Sequence, residues 1–211
     1  MTYYSRHLPH WHPEAAWLFV TWRLVGSLPF APDLLTRKPT TPQSPGAAFA
    51  DFDRQIDHAT RGSMWLSDPR VARIVMEILL AGERERGFYH LRAWVIMANH
   101  VHVLWNPLVP MPRITRWVKG STARRANVVL GRTGARFWQA ESFDHWVRNQ
   151  DELEKIVRYV ESTPVTAGLA DAPEHWPWSS ASSRAGGFAC PTAQETRSPV
   201  WGGACQQIPV R

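Results

Sequence analysis

The chain has 211 residues, 44% of them hydrophobic and 20% charged, enough for one domain with a substantial core plus extensions. Its net charge of +6 points to an anionic partner, nucleic acid first, and carries no information about fold. No run approaches the ~18 apolar residues of a membrane span, no signal-peptide pattern opens the chain, and Cys190 and Cys205 form neither a CxxC nor a zinc spacing, so composition predicts a cytoplasmic protein without membrane attachment.

In chain order, residues 1–14 read as an irregular arm. Ala16-Trp-Leu-Phe-Val-Thr-Trp-Arg-Leu24 is aromatic, β-branched and uninterrupted, which predicts a central strand. Pro29 to Pro45 holds five of the 17 prolines and reads as loop. Ala47 to His58 fits an amphipathic helix. Asp68-Pro69 opens a stronger one, with Asp68 as N-cap and proline at N1. Val71, Ile74, Val75, Ile78 and Leu79 keep helical spacing and Gly87 ends the run. Phe88 to Met97 and Asn99 to Trp105 predict two strands joined antiparallel through a tight turn near Ala98-Asn99. Pro112 to Leu130 reads as helix and Arg136 to Val147 as strand or extended chain.

Gln150 to Ser162 forms the clearest helix. Asn149 with Glu152 gives a capping-box start, and Leu153, Ile156, Val157 and Val160 form its apolar stripe. Thr163-Pro164 is expected to end it, because the residue before proline avoids the α region. After about Ser179 the composition turns to Ser, Gly, Ala and Pro. The chain thus divides into one domain over residues 1–180, with its N-terminal arm, and a flexible tail over 181–211. The order of elements predicts an α+β fold, an antiparallel sheet with helices packed on it.

Within the third strand, His100 and His102 are separated by one residue and so point to the same face. Two imidazoles side by side make half of a divalent-metal site, and equally two satisfied structural histidines. Tyr159 lies about 110° from the centre of its helix stripe, at the edge between core and water. From Arg113 through Arg136 the chain carries seven cations and no carboxylate: Arg113, Arg116, Lys119, Arg124, Arg125, Arg132 and Arg136. Charged faces usually mix both signs, so this run favours a phosphate track. Trp117, Phe137 and Trp138 beside it suit base stacking or core packing.

With these pieces assembled, the chain resembles the REP-associated tyrosine transposases, within the single-tyrosine HUH transposase superfamily. The resemblance runs from residue 8 to about residue 180. It rests on His10-Trp-His-Pro13, Phe19-Val-Thr-Trp-Arg-Leu24 with Gly26-Ser-Leu-Pro29, Ala98-Asn-His-Val-His-Val103, Lys119-Gly-Ser-Thr-Ala-Arg124 with Ala126-Asn127, and Phe137-Trp-Gln139. Ser142-Phe-Asp-His-Trp-Val-Arg148, Val157-Arg-Tyr-Val-Glu161, Pro164-Val165 and Ala167-Gly-Leu169 complete it.

The resemblance implies a ferredoxin- or RRM-like core, with His100 and His102 as metal ligands and Tyr159 as nucleophile. The position of a third ligand, commonly asparagine in the family, is Thr163 here, and a hydroxyl is a weaker ligand than an amide oxygen. Glu152, two turns before Tyr159, is a conceivable substitute. The implied activity is Mg2+- or Mn2+-dependent cleavage and rejoining of single-stranded DNA bearing palindromic hairpins. It would pass through a covalent 5′-phosphotyrosine, in a bacterial, nucleoid-associated monomer or homodimer. The resemblance gives the arm with His10 and His12 a role in DNA binding, and the arm equally reads as loop packing. Two alternatives remain open: a domesticated single-strand DNA-binding protein with little or no cleavage, and a metal-dependent hydrolase using water as nucleophile.

Overall fold

The computed structural model describes residues 2–5, 9–12, 16–27, 56 and 62–186, the first two stretches as backbone. Within residues 1–14, expected as an irregular arm, two short strands pair instead. Strand β1 (Thr2–Ser5) pairs antiparallel with β2 (Pro9–His12), Tyr3 opposite Trp11. The expected loop 29–45 lies outside the described residues, as does the expected helix 47–58 apart from Ile56.

The core is a four-stranded antiparallel sheet of β3 (Leu18–Arg23), β4 (Tyr89–Ile96), β5 (His100–Pro107) and β6 (Phe143–Trp146), in spatial order β4-β5-β3-β6. The apolar β3 and β5 occupy the centre because both of their faces are covered. Of the stretch 136–147, only Phe143–Trp146 forms ladder strand. Trp138 adds an isolated bridge to Leu24.

Register divides the side chains cleanly. Thr21 opposes His102 and Phe19 opposes Leu104 on one face, while Trp22 opposes Val101 and Leu18 opposes Trp105 on the other. The β4–β5 register shifts between Leu91 and Ala93, a β-bulge that reverses the parity of β4. Trp94 therefore joins Tyr89 and Leu91 on the tryptophan face.

Helices α1 (Pro69–Arg84) and α2 (Met111–Val129) cover the tryptophan face. Asp68 caps α1 by accepting the Arg70 amide at 2.9 Å, and the stripe from Val71 to Leu79 is buried. The Tyr89 hydroxyl donates to the Leu79 carbonyl at 2.8 Å, and Trp105 packs between Tyr89 and Trp22 at ring distances of 4.8 and 5.8 Å.

Helix α3 (Gln150–Thr166) covers the histidine face. Asn149 caps it through the Glu152 amide at 2.9 Å. Leu153 and Val160 are buried, whereas Ile156 and Val157 are half-buried. The helix does not stop at Thr163 but carries Pro164 inside its last turn. Proline removes one donor, and near the C-terminus few bonds follow it. The chain then closes through Ala167 N to Thr163 O at 2.9 Å and Leu169 N to Pro164 O at 2.8 Å.

Beyond it, residues 176–180 shield the outer edge of β4. Ile96 N donates to Trp178 O at 2.9 Å, Trp94 N to Ser180 Oγ at 3.1 Å, and Trp176 Nε1 to Ile96 O at 3.0 Å. Helix α4 (Ser180–Arg184) follows, so the boundary drawn at residue 180 falls at the start of a packed helix. Among the described residues no helix is long and apolar enough to cross a membrane.

Gly82 sits inside α1, where alanine ordinarily gains about 1 kcal/mol of helix stability. A Cβ there would lie 2.1 Å from the Tyr89 hydroxyl. Gly82→Ala should therefore destabilise the protein, read as a lower urea midpoint; a raised midpoint would contradict this packing.

Candidate active site

The histidines enter the sheet interior from the start of β5. Both are fully buried, and the strand's period of two turns both rings toward α3. His100 Nδ1 lies 2.6 Å from Asn99 Oδ1, and His102 Nδ1 lies 2.7 Å from Thr21 Oγ1 across the β3–β5 pairing. The remaining ring nitrogens face each other, Nε2 to Nε2, at 3.0 Å. Phe19 stacks on His102 at 5.5 Å.

Helix α3 brings Tyr159 onto this group. Its ring lies 5.8 Å from His102 and 6.0 Å from Phe19, edge-on to the latter. At 37% exposure it is the boundary residue expected from its helix position, open to a ligand on one side. Histidines and tyrosine come together within a single chain. One turn later Thr163 is buried, its hydroxyl donating to the Tyr159 carbonyl at 2.9 Å. Its oxygen keeps acceptor capacity.

Glu152 is engaged elsewhere. It accepts from His145 Nε2 at 3.0 Å and from the Arg148 amide at 2.7 Å. Burial alone pushes its carboxyl up, but these partners outweigh burial and hold it below the usual value. Among the described residues no third His, Cys, Asp or Glu joins the histidine pair. Glu152 as a substitute ligand is therefore not supported by the geometry.

The pair suits a divalent cation. Two donors at adjacent corners of an octahedral ion with bonds of about 2.1 Å sit about 3.0 Å apart, the separation of the two Nε2 atoms here. Two neutral imidazoles, with hydroxyl, amide or water oxygens completing the sphere, match the ligand preferences of such ions.

The basic run lies elsewhere. Helix α2 packs on the tryptophan face, where Thr122 accepts from Trp138 Nε1 at 2.7 Å and Trp138 meets Trp22 at 6.2 Å. The sheet thus separates α2 from the histidines. Several of the cations already have protein partners. Lys119 Nζ donates to the Gln139 and Ala140 carbonyls at 3.0 and 3.1 Å, and Arg125 pairs with Glu77 at 2.8 Å. Arg113 lies over Phe88 at 5.1 Å and Arg132 over Trp65 at 3.6 Å. Arg116, Arg124 and Arg136 are exposed. Trp65 belongs to the 3-10 turn Trp65–Ser67, which docks on the sheet end through Leu66 N to Ala98 O at 3.1 Å, beside Asn99. The Arg132–Trp65 pair therefore stands at the histidine end of the sheet. His10 and His12 lie in β2, whose side chains fall outside the described residues.

Thr21, Phe19 and Asn99 were not singled out from sequence as site residues. Asn99 adjoins His100 and was readable by proximity. Thr21 and Phe19 reach the site only through strand register, which no local pattern reveals.

Residues 65–163, just under half of the chain, match the family model described as "Transposase IS200 like". No curated protein matches the chain. Among solved structures, one described as a REP-associated tyrosine transposase bound to a REP hairpin is similar to it. The two are 17% identical over 88% of this chain and 86% of that one, with a TM-score of 0.51. That likeness shows a shared fold. A structure from Deinococcus radiodurans R1, described as a candidate transposase, is 15% identical over 70% of this chain and 89% of that one, with a TM-score of 0.34.

Burial pushes the His100 ring from 6.5 down to about 3. Burial, with the adjacent His100 ring, holds His102 well below its ordinary value. The unfolded chain binds protons at both rings below about pH 6.5 and the folded chain does not. Their contribution to stability is therefore complete above pH 6.5 and is lost as pH falls toward 3, at up to about 1.4 kcal/mol per pH unit for each ring. Urea midpoints should fall between about pH 7 and 5, and His102→Gln should flatten that fall. An unchanged slope in the variant would contradict the neutral, buried pair.

Proposed function

We propose, from the match of residues 65–163 to the IS200-like transposase family model, that the chain cleaves and rejoins hairpin-bearing single-stranded DNA through Tyr159. The observation that carries this reading is the contact between Tyr159 and the buried His100–His102 pair, 5.8 Å between the Tyr159 and His102 rings. A nucleophile of the required type stands beside two buried imidazoles that share a strand face.

In this mechanism His100 and His102 would hold a divalent cation, Mg2+ or Mn2+, with Thr163 as a further donor. When bound, the cation supplies positive charge that polarises the scissile phosphate and lowers the barrier to attack by a phenol. Phe19 fixes the Tyr159 ring edge-on and the His102 ring face-on, holding nucleophile and ligand in one geometry. The Tyr159 oxygen forms a bond to phosphorus as its proton departs to solvent. The bond from phosphorus to the 3′ oxygen breaks, and that oxygen takes a proton from solvent and leaves as a hydroxyl. The 5′ phosphate stays on Tyr159, conserving bond energy for rejoining when a 3′-hydroxyl returns.

The cations of α2 and the loop after it would carry the DNA backbone, Arg116, Arg124 and Arg136 from the surface and Arg113, Lys119, Arg125 and Arg132 at its margin. DNA held there reaches Tyr159 around the sheet end at Trp65. The structure described as bound to a REP hairpin makes a palindromic hairpin the first substrate to test.

A second reading, DNA binding with little cleavage, draws on Thr163. Its hydroxyl is already spent as a donor on the Tyr159 carbonyl and it replaces a stronger amide ligand.

Incubation of a hairpin-bearing single strand with Mn2+ separates the two. A label at the 3′ end should become covalently attached to protein, and a label at the 5′ end should appear on a released fragment with a free 3′-hydroxyl. Tyr159→Phe should abolish both products while leaving hairpin affinity within about twofold. Cleavage that persists in Tyr159→Phe would overturn the tyrosine mechanism. Binding by the unmodified protein without any adduct would establish the second reading instead.

A further inference from the structure

Helix α2 carries a glycine that its packing does not require. Gly120 lies midway along the helix, where glycine is costly relative to alanine because it has more backbone freedom to lose. At Gly82 a neighbour accounts for the residue, the Tyr89 hydroxyl that a Cβ would strike. At Gly120 no described atom lies within 4 Å of where a Cβ would sit. The helix surface is open there.

The glycine interrupts a row of cations. Arg116, Gly120 and Arg124 are spaced i, i+4, i+8, so they lie one above the other along α2. Both arginines are exposed, and Arg113 flanks the row one turn earlier. The cations on either side of the row are turned away from it. Lys119 reaches the Gln139 and Ala140 carbonyls, and Arg125 reaches Glu77 on α1. No carboxylate occurs anywhere between Arg113 and Arg136.

This face offers charge without a platform for bases. Trp117 stands edge-on to Phe88 at 5.4 Å, with Arg86 over its ring. Phe137 and Trp138 are buried, and the Trp138 indole donates to Thr122. Among the described residues Tyr159 is the only exposed Phe, Tyr or Trp ring. Unpaired strands are gripped largely by stacking their bases on such rings. Paired DNA hides its bases and presents phosphates, which is what a bare row of arginines fits.

We propose that the row Arg116–Gly120–Arg124 seats the sugar-phosphate backbone of a DNA duplex, the paired stem of the substrate rather than its unpaired foot, and that Gly120 is the notch into which one strand settles. The inference rests on the DNA reading above. The two arginines are about 12 Å apart along the axis, roughly three to four base-pair steps of duplex. With no Cβ at position 120 the strand approaches the helix backbone closely, and a phosphate there faces a guanidinium on either side. The unpaired foot then continues around the sheet end toward Tyr159.

Fluorescence anisotropy with two probes tests this, a hairpin carrying a single-stranded foot and the foot strand alone, each titrated over a range of NaCl. For the unmodified protein the plot of log affinity against log salt should be steeper for the hairpin by about 2 to 3, one phosphate for each of Arg113, Arg116 and Arg124. Gly120→Ala should raise the urea midpoint, because alanine favours helix and has room. The same variant should weaken hairpin binding about 10-fold, the loss of roughly one charge-assisted contact, and leave binding of the foot strand within about twofold. Equal salt slopes for the two probes would overturn the proposal, a result that depends on no variant. Unchanged hairpin affinity in Gly120→Ala would overturn it too, and a lowered urea midpoint would contradict the open helix face it starts from. An unmodified protein that binds neither probe would overturn the DNA reading and this inference with it.

Discussion

The structure depends on two neutral imidazoles buried in the middle of its sheet. A buried polar ring is tolerated only when each nitrogen has a partner, and here the partners come from separate parts of the chain. Asn99 anchors His100 to the segment at Ile56, Thr21 ties His102 to β3, and the rings meet each other. Loss of any one of these leaves an unpaired group in an apolar interior, at about 1–3 kcal/mol. The same burial that makes the pair costly keeps it deprotonated, the state in which imidazole binds metal.

The sheet works as a partition. Because side chains alternate, His100, His102, Thr21 and Phe19 all face α3, and the stacked Trp22 and Trp105 all face α1 and α2. The bulge in β4 lets Tyr89 and Trp94 share the second face despite their odd spacing. Chemistry and bulk packing are thereby assigned to opposite sides. The basic helix shares the packing side, so under the proposed function DNA held on it would reach Tyr159 around the sheet end rather than from directly above.

Features with a local cause were legible in the sequence. The alternation in 99–105 placed the histidines on one face, the stripe 71–79 made α1, and the caps Asp68 and Asn149 began their helices as expected. The edge position of Tyr159 also followed from helical spacing. What depends on distant partners was not legible. Thr21 becomes a site residue only through its pairing with His102. Lys119 and Arg125 read as free cations until the 139–140 carbonyls and Glu77 come into place. Pro164 read as a stop, yet so close to a helix end its missing donor matters little. The paired strands β1 and β2 have four residues each, too short for a local pattern to reveal.

The central claim is that the buried pair is a cation site completed beside Tyr159. Anomalous scattering at the manganese edge, from crystals soaked in Mn2+, tests it most directly. The account predicts one peak between the Nε2 atoms of His100 and His102, within about 2.3 Å of each and next to the Tyr159 ring. Strong manganese peaks elsewhere, with none at the pair and the two rings still bonded to each other, would contradict it.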